Sequence, residues 1–91
     1  MKIRTQYHSI LVESFNPNST SGRHGDVHIR PVAGQPLFPQ SLFVECSKKL
    51  SKNYSVGTQF RIRAKLSELK GTTFIYSYFD WPVEVIKGVL R

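Results

Sequence analysis

Residues 60–66 alternate without exception between apolar and basic side chains. The apolar positions are Phe60, Ile62, Ala64 and Leu66, and the basic positions between them are Arg61, Arg63 and Lys65. Because successive side chains of a β-strand point to opposite faces of a sheet, this period of two predicts a strand with one buried face and one cationic face. The Ser-Val-Gly-Thr sequence at 55–58 predicts a turn that leads into the strand.

Shorter or less regular patterns predict the remaining strands. Residues 3–15 combine β-branched and aromatic side chains with few breakers, which favours a long first strand over a helix. Residues 27–30 alternate apolar with polar and end at Pro31, whose missing N–H interrupts a hydrogen-bonded ladder. Apolar or alternating runs predict further strands over residues 42–46, 72–79 and 83–86.

Helix-forming sequence is confined to one short stretch, and turn formers fill two others. Residues 47–52 place good helix formers behind Ser47, a residue type that caps helices, and predict one or two helical turns. Turn-forming residues fill 16–26 and predict a long flexible loop, while the prolines and glycine of 32–40 make that segment irregular. Residues 88–91 are expected to form a C-terminal tail.

This order of elements predicts an all-β domain. Five or six strands in a chain of 91 residues, with at most one short helix after the third strand, favour a small barrel that avoids open sheet edges. We therefore expect a five- or six-stranded OB-like barrel, with an SH3-like barrel as the alternative. A chain of this length has room for one core, so residues 1–87 are expected to form a single domain with the loop at 16–26 inside it.

The composition is typical of a protein from a reducing compartment. No stretch approaches the roughly 20 apolar residues of a membrane span, and the N-terminal residues lack the apolar region of a signal peptide. The single cysteine, Cys46, has no partner for an internal disulfide. These observations predict a cytoplasmic protein with no membrane partner.

The positive charge is concentrated in the second half of the chain. The net charge is +7, and the segment from Lys48 to Lys70 carries +6 of it, because seven cations there face a single carboxylate, Glu68. A field this local attracts polyanions and raises their rate of association. The alternative is a basic surface that only keeps the protein soluble.

From residue 50 onward the order of predicted elements matches a known pattern. Residues 50–66 read LSKNYSVGTQFRIRAKL, and Gly71 and a last strand ending at 85–86 follow. A short helical segment, a glycine turn, an alternating strand, a glycine hairpin and a final strand in this order resemble the second half of OB-fold proteins of the single-stranded-DNA-binding type. The resemblance implies that backbone phosphates lie across a basic sheet face and that bases stack on exposed rings. The first half departs from the pattern, because Pro31 and the irregular segment 32–40 stand where a longer second strand and hairpin are expected.

Nucleic-acid binding requires cations that replace the counterions of the backbone, and aromatic faces on which bases stack. The predicted phosphate contacts are Lys48, Lys49, Lys52, Arg61, Arg63 and Lys65, together with Arg23 from the loop. The predicted stacking partners are Tyr76, Tyr78 and Trp81. We therefore expect a non-enzymatic protein that binds single-stranded DNA or RNA.

The sequence leaves two orientations open for the aromatic side chains. Large rings contribute heavily to the core of a small domain, which favours an inward orientation for the alternating set Phe74, Tyr76 and Tyr78. In that case Ile75 and Phe79 face outward with Arg61 and Arg63, whereas the alternative places the tyrosines beside the basic row. Trp81 is either a stacking platform or a lid on the end of the barrel, and its large apolar area favours the lid.

Other functions have weaker support in the sequence. A protein-interaction module that docks on an acidic partner would use the apolar residues around the prolines, which are Leu37, Phe38, Leu42 and Phe43. A homodimer is kept as a further alternative. The alternating set His24, Asp26 and His28 lacks a further cluster that would complete a metal site. The carboxylates are scattered singly and no phosphate-loop or nucleophile motif occurs, so we expect no enzyme activity, cofactor or metal.

Overall fold

The computed structural model describes residues 7–17 and 27–88, which form a β-sheet with one short helix. The elements are β1 (His8–Phe15), β2 (His28–Pro31), β3 (Val44–Glu45), α1 (Lys49–Lys52), β4 (Gln59–Leu69), β5 (Thr72–Tyr76) and β6 (Glu84–Lys87). The predicted all-β class with one short helix is therefore confirmed for these two ranges. No helix within them is long and apolar enough to cross a membrane.

β4 is the central strand of the sheet. β1 pairs antiparallel with the first half of β4, from Glu13 opposite Gln59 to His8 opposite Ala64. β5 returns along the second half of β4 in a hairpin, and β6 pairs with the start of β4. Phe60 pairs with both β1 and β6, so β6 lies on the other edge of β4 from β1. β2 extends the sheet beyond β1 and β3 runs parallel to β5, which gives the order β2-β1-β4-β5-β3.

One face of the sheet carries the hydrophobic core. The buried apolar side chains are Ile10, Val12, Phe38, Val44, Leu50, Phe60, Ile62, Ala64 and Ile75. β4 contributes its even-numbered residues from 60 to 64, while Arg61 and Arg63 are exposed on the other face. α1 packs against the core through Leu50. The predicted division of β4 into a buried face and a cationic face is confirmed.

The sheet does not close, so the prediction of a closed barrel is wrong. β2 ends at Pro31, β3 has only two residues, and these two strands do not pair with each other. Pro31 has no N–H to continue a ladder, and turns and bends fill most of residues 33–42. The two strands that would complete the barrel are therefore too short and too interrupted to form a hydrogen-bonded pair with each other.

The side chain of Gln35 continues the edge of β1 where β2 stops. The N–H of Leu11 donates to Gln35 Oε1 at 2.9 Å, and Gln35 Nε2 donates to the carbonyl oxygen of Leu11 at 2.8 Å. The N–H of Val32 donates to the same carbonyl oxygen at 3.0 Å. β1 thus keeps partners for its backbone groups although the neighbouring strand has ended.

The turn before β4 is tied to β1 by buried polar groups. The N–H of Thr58 donates to the carbonyl oxygen of Ser55 at 3.2 Å, and Gly57 between them has a φ of 97°. The N–H of Gly57 donates to both the hydroxyl and the carbonyl oxygen of Ser14, each at 3.0 Å. The hydroxyl of Thr58, which is fully buried, donates to the carbonyl oxygen of Ser55 at 2.6 Å. The predicted turn at 55–58 is confirmed, and it anchors the start of β4.

Three predicted strands are shorter in the structure. Of the first, residues 8–15 form β1, Tyr7 precedes the strand, and residues 3–6 lie outside the described part. Of the strand predicted over 42–46, only Val44–Glu45 form β3. β5 stops at Tyr76 instead of continuing to residue 79. The chain turns there, and the N–H of Trp81 donates to the carbonyl oxygen of Tyr78 at 3.1 Å.

The helix also begins slightly later than predicted. α1 starts at Lys49, and Ser47 Oγ accepts the Lys49 N–H at 3.2 Å, so the serine still satisfies a free donor of the first turn. Residues 18–26 of the expected loop and residues 89–91 of the expected tail lie outside the described part. The predictions of a flexible loop and a tail therefore stay predictions.

We expect Gly57→Ala to lower the free energy of unfolding by about 1 kcal/mol, because an L-residue at this positive φ is strained. No neighbouring heavy atom lies within 4 Å of the Cβ that alanine would add, so crowding does not contribute. Urea unfolding followed by circular dichroism measures the change. Val56→Ala is the control, since Val56 is exposed in the same turn and its loss is expected to change stability by less than about 0.5 kcal/mol. Equal stability of Gly57→Ala and the parent would contradict the requirement for a left-handed residue.

Candidate nucleic-acid interface

Three cations of β4 lie on the face of the sheet opposite the core. We call this the outer face, and its basic row consists of Arg61, Arg63 and Lys65. Arg61 and Arg63 are exposed, and Lys65 is half-buried. The cationic row predicted from the alternation is therefore present, at every second residue of one strand.

Four aromatic rings gather beside the basic row. This aromatic cluster consists of Tyr7, Tyr78, Phe79 and Trp81. The rings of Tyr7 and Trp81 meet edge to face with centroids 4.7 Å apart, and those of Tyr78 and Trp81 with centroids 5.6 Å apart. Phe79 joins through Tyr78, with centroids 4.9 Å apart. Aromatic pairs attract each other at these distances, so the rings hold one another in place.

Two cations of the basic row lie against rings of the aromatic cluster. The guanidinium carbon of Arg63 is 5.7 Å from the centroid of the Trp81 ring, and Lys65 Nζ is 5.2 Å from the centroid of the Tyr7 ring. Both distances are within the about 6 Å over which cation–π attraction acts. Cations and aromatic rings therefore interleave on the outer face.

A groove of about 470 Å³ opens on the outer face beside these side chains. The residues that line it include Tyr7, Ser9, Arg61, Arg63, Val83 and Glu84. Its volume is in the roughly 300–1,000 Å³ range of sites that hold small organic groups. The groove therefore offers space for a ligand where the basic row and the aromatic cluster meet.

Arg61 is engaged by the protein itself. Its Nε is 3.3 Å from Oε1 of Glu84, and the two residues are neighbours across the β4–β6 pair. The side chains are 47% and 66% exposed, so solvent screens the ion pair and it contributes about 0–1 kcal/mol. Within the described ranges Arg63 and Lys65 form no ion pair, so their charges remain available to a ligand.

At the β2 end of the outer face, the positive charge is neutralised by an ion pair. Arg30 of β2 is paired with Glu13 of β1, with Nε 2.7 Å from Oε2, and its guanidinium also lies 4.2 Å from the centroid of the Phe15 ring. The guanidinium of Arg30 is thus engaged by two side chains of the protein itself, Glu13 and Phe15. Arg63 and Lys65 are therefore the cations of the basic row that form no ion pair within the described ranges.

The favoured orientation of the β5 side chains is wrong. Ile75, which was expected to face outward in that arrangement, is fully buried in the core. Tyr76 is the cross-strand partner of Lys65 and lies on the outer face, as does Phe74 two residues earlier. Tyr78 is exposed beyond the end of β5. The tyrosines therefore lie on the same side of the sheet as the basic row.

The expectation that Trp81 is a lid on the barrel end is also wrong. Trp81 is half-buried against Tyr7 and Tyr78, and it is not among the side chains that pack on the core. The chain leaves β5 after Tyr76 and loops out before β6 begins, which brings the Trp81 ring over the outer face. Its role as a stacking partner for bases stays a prediction.

The structure does not bring all of the predicted phosphate contacts together. Lys48, Lys49 and Lys52 are exposed in and beside α1, which packs on the core face through Leu50. These lysines therefore lie on the other side of the sheet from the basic row. Arg23 falls outside the described residues, so its contact stays a prediction.

Two residues of the outer face were not predicted to belong to the site. In the sequence, Tyr7 contributes only to the apolar content of the first strand. Its place in the site follows from the register of β1 and β4, because His8 pairs with Ala64 and so places Tyr7 beside Lys65. Glu84 is an isolated acid in sequence. Its place opposite Arg61 follows only from the pairing of β6 with β4.

Cys46 has the environment of a structural thiol. Burial, and to a smaller extent the charge of Glu45, raise the pKa of the Cys46 thiol from 9.0 to about 11. The thiol is therefore protonated at neutral pH, and a protonated thiol is a poor nucleophile and a poor metal ligand.

The histidine and aspartate set that alternates in sequence is only partly visible. His28 is exposed at the start of β2, where its ring meets that of Phe15 with centroids 5.9 Å apart. His24 and Asp26 lie outside the described residues. Among the residues that the structure describes, no three potential ligands come together as a metal site.

No protein-family model matches the chain, and no curated protein or solved structure is significantly similar to it.

We expect Cys46 to react slowly with iodoacetamide at pH 8 in the native protein. A rise of the thiol pKa from 9.0 to about 11 lowers the thiolate fraction by on the order of 100-fold. The reaction rate is expected to keep rising with pH until the pKa of about 11 is reached. Mass spectrometry of timed samples measures the rate, and urea-unfolded protein is the control. Similar rates in the native and unfolded chains would contradict the burial of the thiol.

Proposed function

We propose that this protein binds single-stranded nucleic acid on the outer face of its sheet and catalyses no reaction. The observation that carries the proposal is the interleaving of Arg63 and Lys65 with the rings of Trp81 and Tyr7. Cations replace the counterions condensed along a phosphate backbone, and aromatic rings stack on bases of any sequence. The outer face offers both kinds of contact beside one groove.

The spacing of the basic row supports a backbone that follows β4. Alternate residues of a strand lie roughly 6.6–7 Å apart, which is comparable with the distance between successive phosphates of an extended single strand. Arg63 and Lys65 are such a pair, and Arg61 continues the row along the groove. Bases that stack on Trp81 or Tyr7 must be free of a partner strand, which favours single-stranded over double-stranded nucleic acid.

The strand order matches only part of the OB-fold pattern. β4 lies beside β1 and β1 beside β2, as in the order 4-1-2-3 of a Greek key, but β2 does not pair with β3. OB-folds are partly open Greek-key barrels that bind oligonucleotides chiefly through the face of their second and third strands. The interleaved cations and rings here lie instead on β4 and in the segment after β5. The proposed binding mode therefore rests on the side chains of this chain and not on the family pattern.

A second candidate is a protein-interaction module that docks on an acidic partner. Leu37 and Phe43 support it, since they are 55% and 64% exposed. Phe38 is buried and Leu42 packs against the core, so only half of the expected apolar patch is available. Recovery of nucleic acid from an untreated extract supports the first candidate, and recovery of an acidic protein from a nuclease-treated extract supports the second.

Reversing two charges of the basic row, with Arg63→Glu and Lys65→Glu together, is expected to weaken binding of a labelled oligothymidylate at least about tenfold. Each lost phosphate contact also lowers the slope of log K against log salt by about 0.7. Fluorescence anisotropy titrations at two ionic strengths measure both quantities.

The matched control for that variant is Lys48→Glu with Lys49→Glu, which changes the net charge equally on the other side of the sheet. It is expected to keep most of the affinity, because charges beyond about 10 Å are screened at 0.1 M salt. Equal weakening by the two double variants would assign binding to the overall charge, and the outer-face site would be wrong.

Trp81 is the single tryptophan of the chain, so its fluorescence reports directly on the proposed site. We expect oligothymidylate to quench this fluorescence as it binds. Trp81→Ala is expected to raise the dissociation constant by on the order of tenfold, because stacking of a base on an aromatic ring contributes about 1–3 kcal/mol. Trp81→Phe keeps a ring and should retain most of the affinity. Binding with unchanged fluorescence, or an alanine variant as tight as the phenylalanine variant, would count against stacking at this position.

A further inference from the structure

β6 is an edge strand that presents apolar side chains to solvent. It pairs with β4 on one side, and no other strand in the described part of the chain pairs with its second edge. All four of its residues are exposed although they belong to a sheet, with Val85 at 41% and Ile86 at 40%. Proteins usually blunt such edges, because the unpaired N–H and C=O groups can pair with another chain.

The two charged residues of β6 lie at its ends and on the same face. Glu84 begins the strand opposite Arg61, and Lys87 ends it opposite Gln59. Directly paired residues share a face of the sheet, so both charges belong to the outer face. The strand therefore has a negative side chain at one end and a positive side chain at the other.

The two apolar residues of β6 lie between these charges. Val85 pairs with Phe60, so it belongs to the core face. A register shift between Gln59 and Phe60 leaves Ile86 without a residue opposite it on β4. The centre of the strand is thus apolar and incompletely covered, and its sequence reads Glu-Val-Ile-Lys.

We propose that two copies of this chain associate by antiparallel pairing of their β6 strands. In the register centred between Val85 and Ile86, Glu84 of each copy faces Lys87 of the other, and Val85 of each copy faces Ile86 of the other. Opposite charges directly across a strand pair attract, whereas like charges repel. The pairing is self-complementary, as a two-fold dimer interface requires, and this charge complementarity favours a second copy over an unrelated partner.

The size of β6 limits the strength of this association. Stable protein interfaces bury about 1,600 Å² in total, which is more than one four-residue strand and its flanking Val83 supply. We therefore expect a monomer–dimer equilibrium that depends on protein concentration, with a dissociation constant below roughly 1 mM. This association does not depend on nucleic-acid binding.

Sedimentation equilibrium of the full chain over a wide concentration range tests the proposal. The mass is expected to rise toward twice the monomer mass. Glu84→Lys and Lys87→Glu each place like charges opposite each other at both ends of the pair, so each is expected to raise the dissociation constant by about tenfold or more. An equimolar mixture of the two variants restores both opposite-charge pairs, so the mixture is expected to associate about as tightly as the parent.

The mixture also controls for damage to the monomer, because a misfolded variant would not be rescued by the other variant. Glu68→Lys and Lys70→Glu make the same charge changes at the exposed β4–β5 hairpin and are expected to leave association unchanged. Ile86→Lys places a charge in the apolar centre and is expected to abolish association. A parent chain that stays monomeric up to roughly 1 mM, or a mixture no tighter than either variant alone, overturns the proposal. Association that persists in the Ile86→Lys variant also overturns the proposal.

Discussion

The structure depends on the strict alternation of β4, combined with the pairing of this strand on both of its edges. Phe60 and Ile62 face the core, and their partners Val12 and Ile10 on β1 are buried with them. A shift of one residue in this register would carry the arginines of β4 into the core, where an unpaired charge costs several kcal/mol. Because β1, β5 and β6 all pair with β4, the alternation of β4 also determines which of their side chains face the core and which lie on the outer face.

Features that depend on local sequence were predictable. The alternating strand, the turn at 55–58 and the short helix each follow from residues adjacent in the chain, and each is present. Closure of the barrel was not predictable in the same way, because it depends on whether β2 and β3 form a hydrogen-bonded pair. Pro31 marks an interruption in the sequence itself, but the local pattern does not show that β3 keeps only Val44 and Glu45 as paired residues.

The orientation of the β5 rings shows where hydrophobicity alone fails. The size and apolar area of the rings favour an inward orientation for Phe74 and Tyr76, but the register of the β4–β5 hairpin places both on the outer face. Lys70 and Gly71 have φ values of 52° and 82°, as expected for a two-residue turn with two left-handed positions, and Leu69 therefore pairs with Thr72. This pair sets the register of the whole hairpin. Ile75 therefore lies opposite Leu66 on the core face, and Tyr76 lies opposite Lys65 on the outer face. The length of the turn, and not the composition of the strand, was the informative signal.

The proposed dimer and the proposed function together constrain how nucleic acid is held. The two-fold axis of an antiparallel strand pair stands perpendicular to the sheet, so both outer faces lie on the same side of the dimer while their basic rows run in opposite directions. A nucleic-acid strand has a polarity, so one straight strand cannot meet both rows in the same sense, whereas two strands or one that folds back can. At the junction between the two copies, Glu84 of each copy faces Lys87 of the other, so these opposite charges largely cancel. The strongest attraction is therefore away from the two-fold axis, at Arg63 and Lys65 of each copy, where the Trp81 and Tyr7 rings also lie.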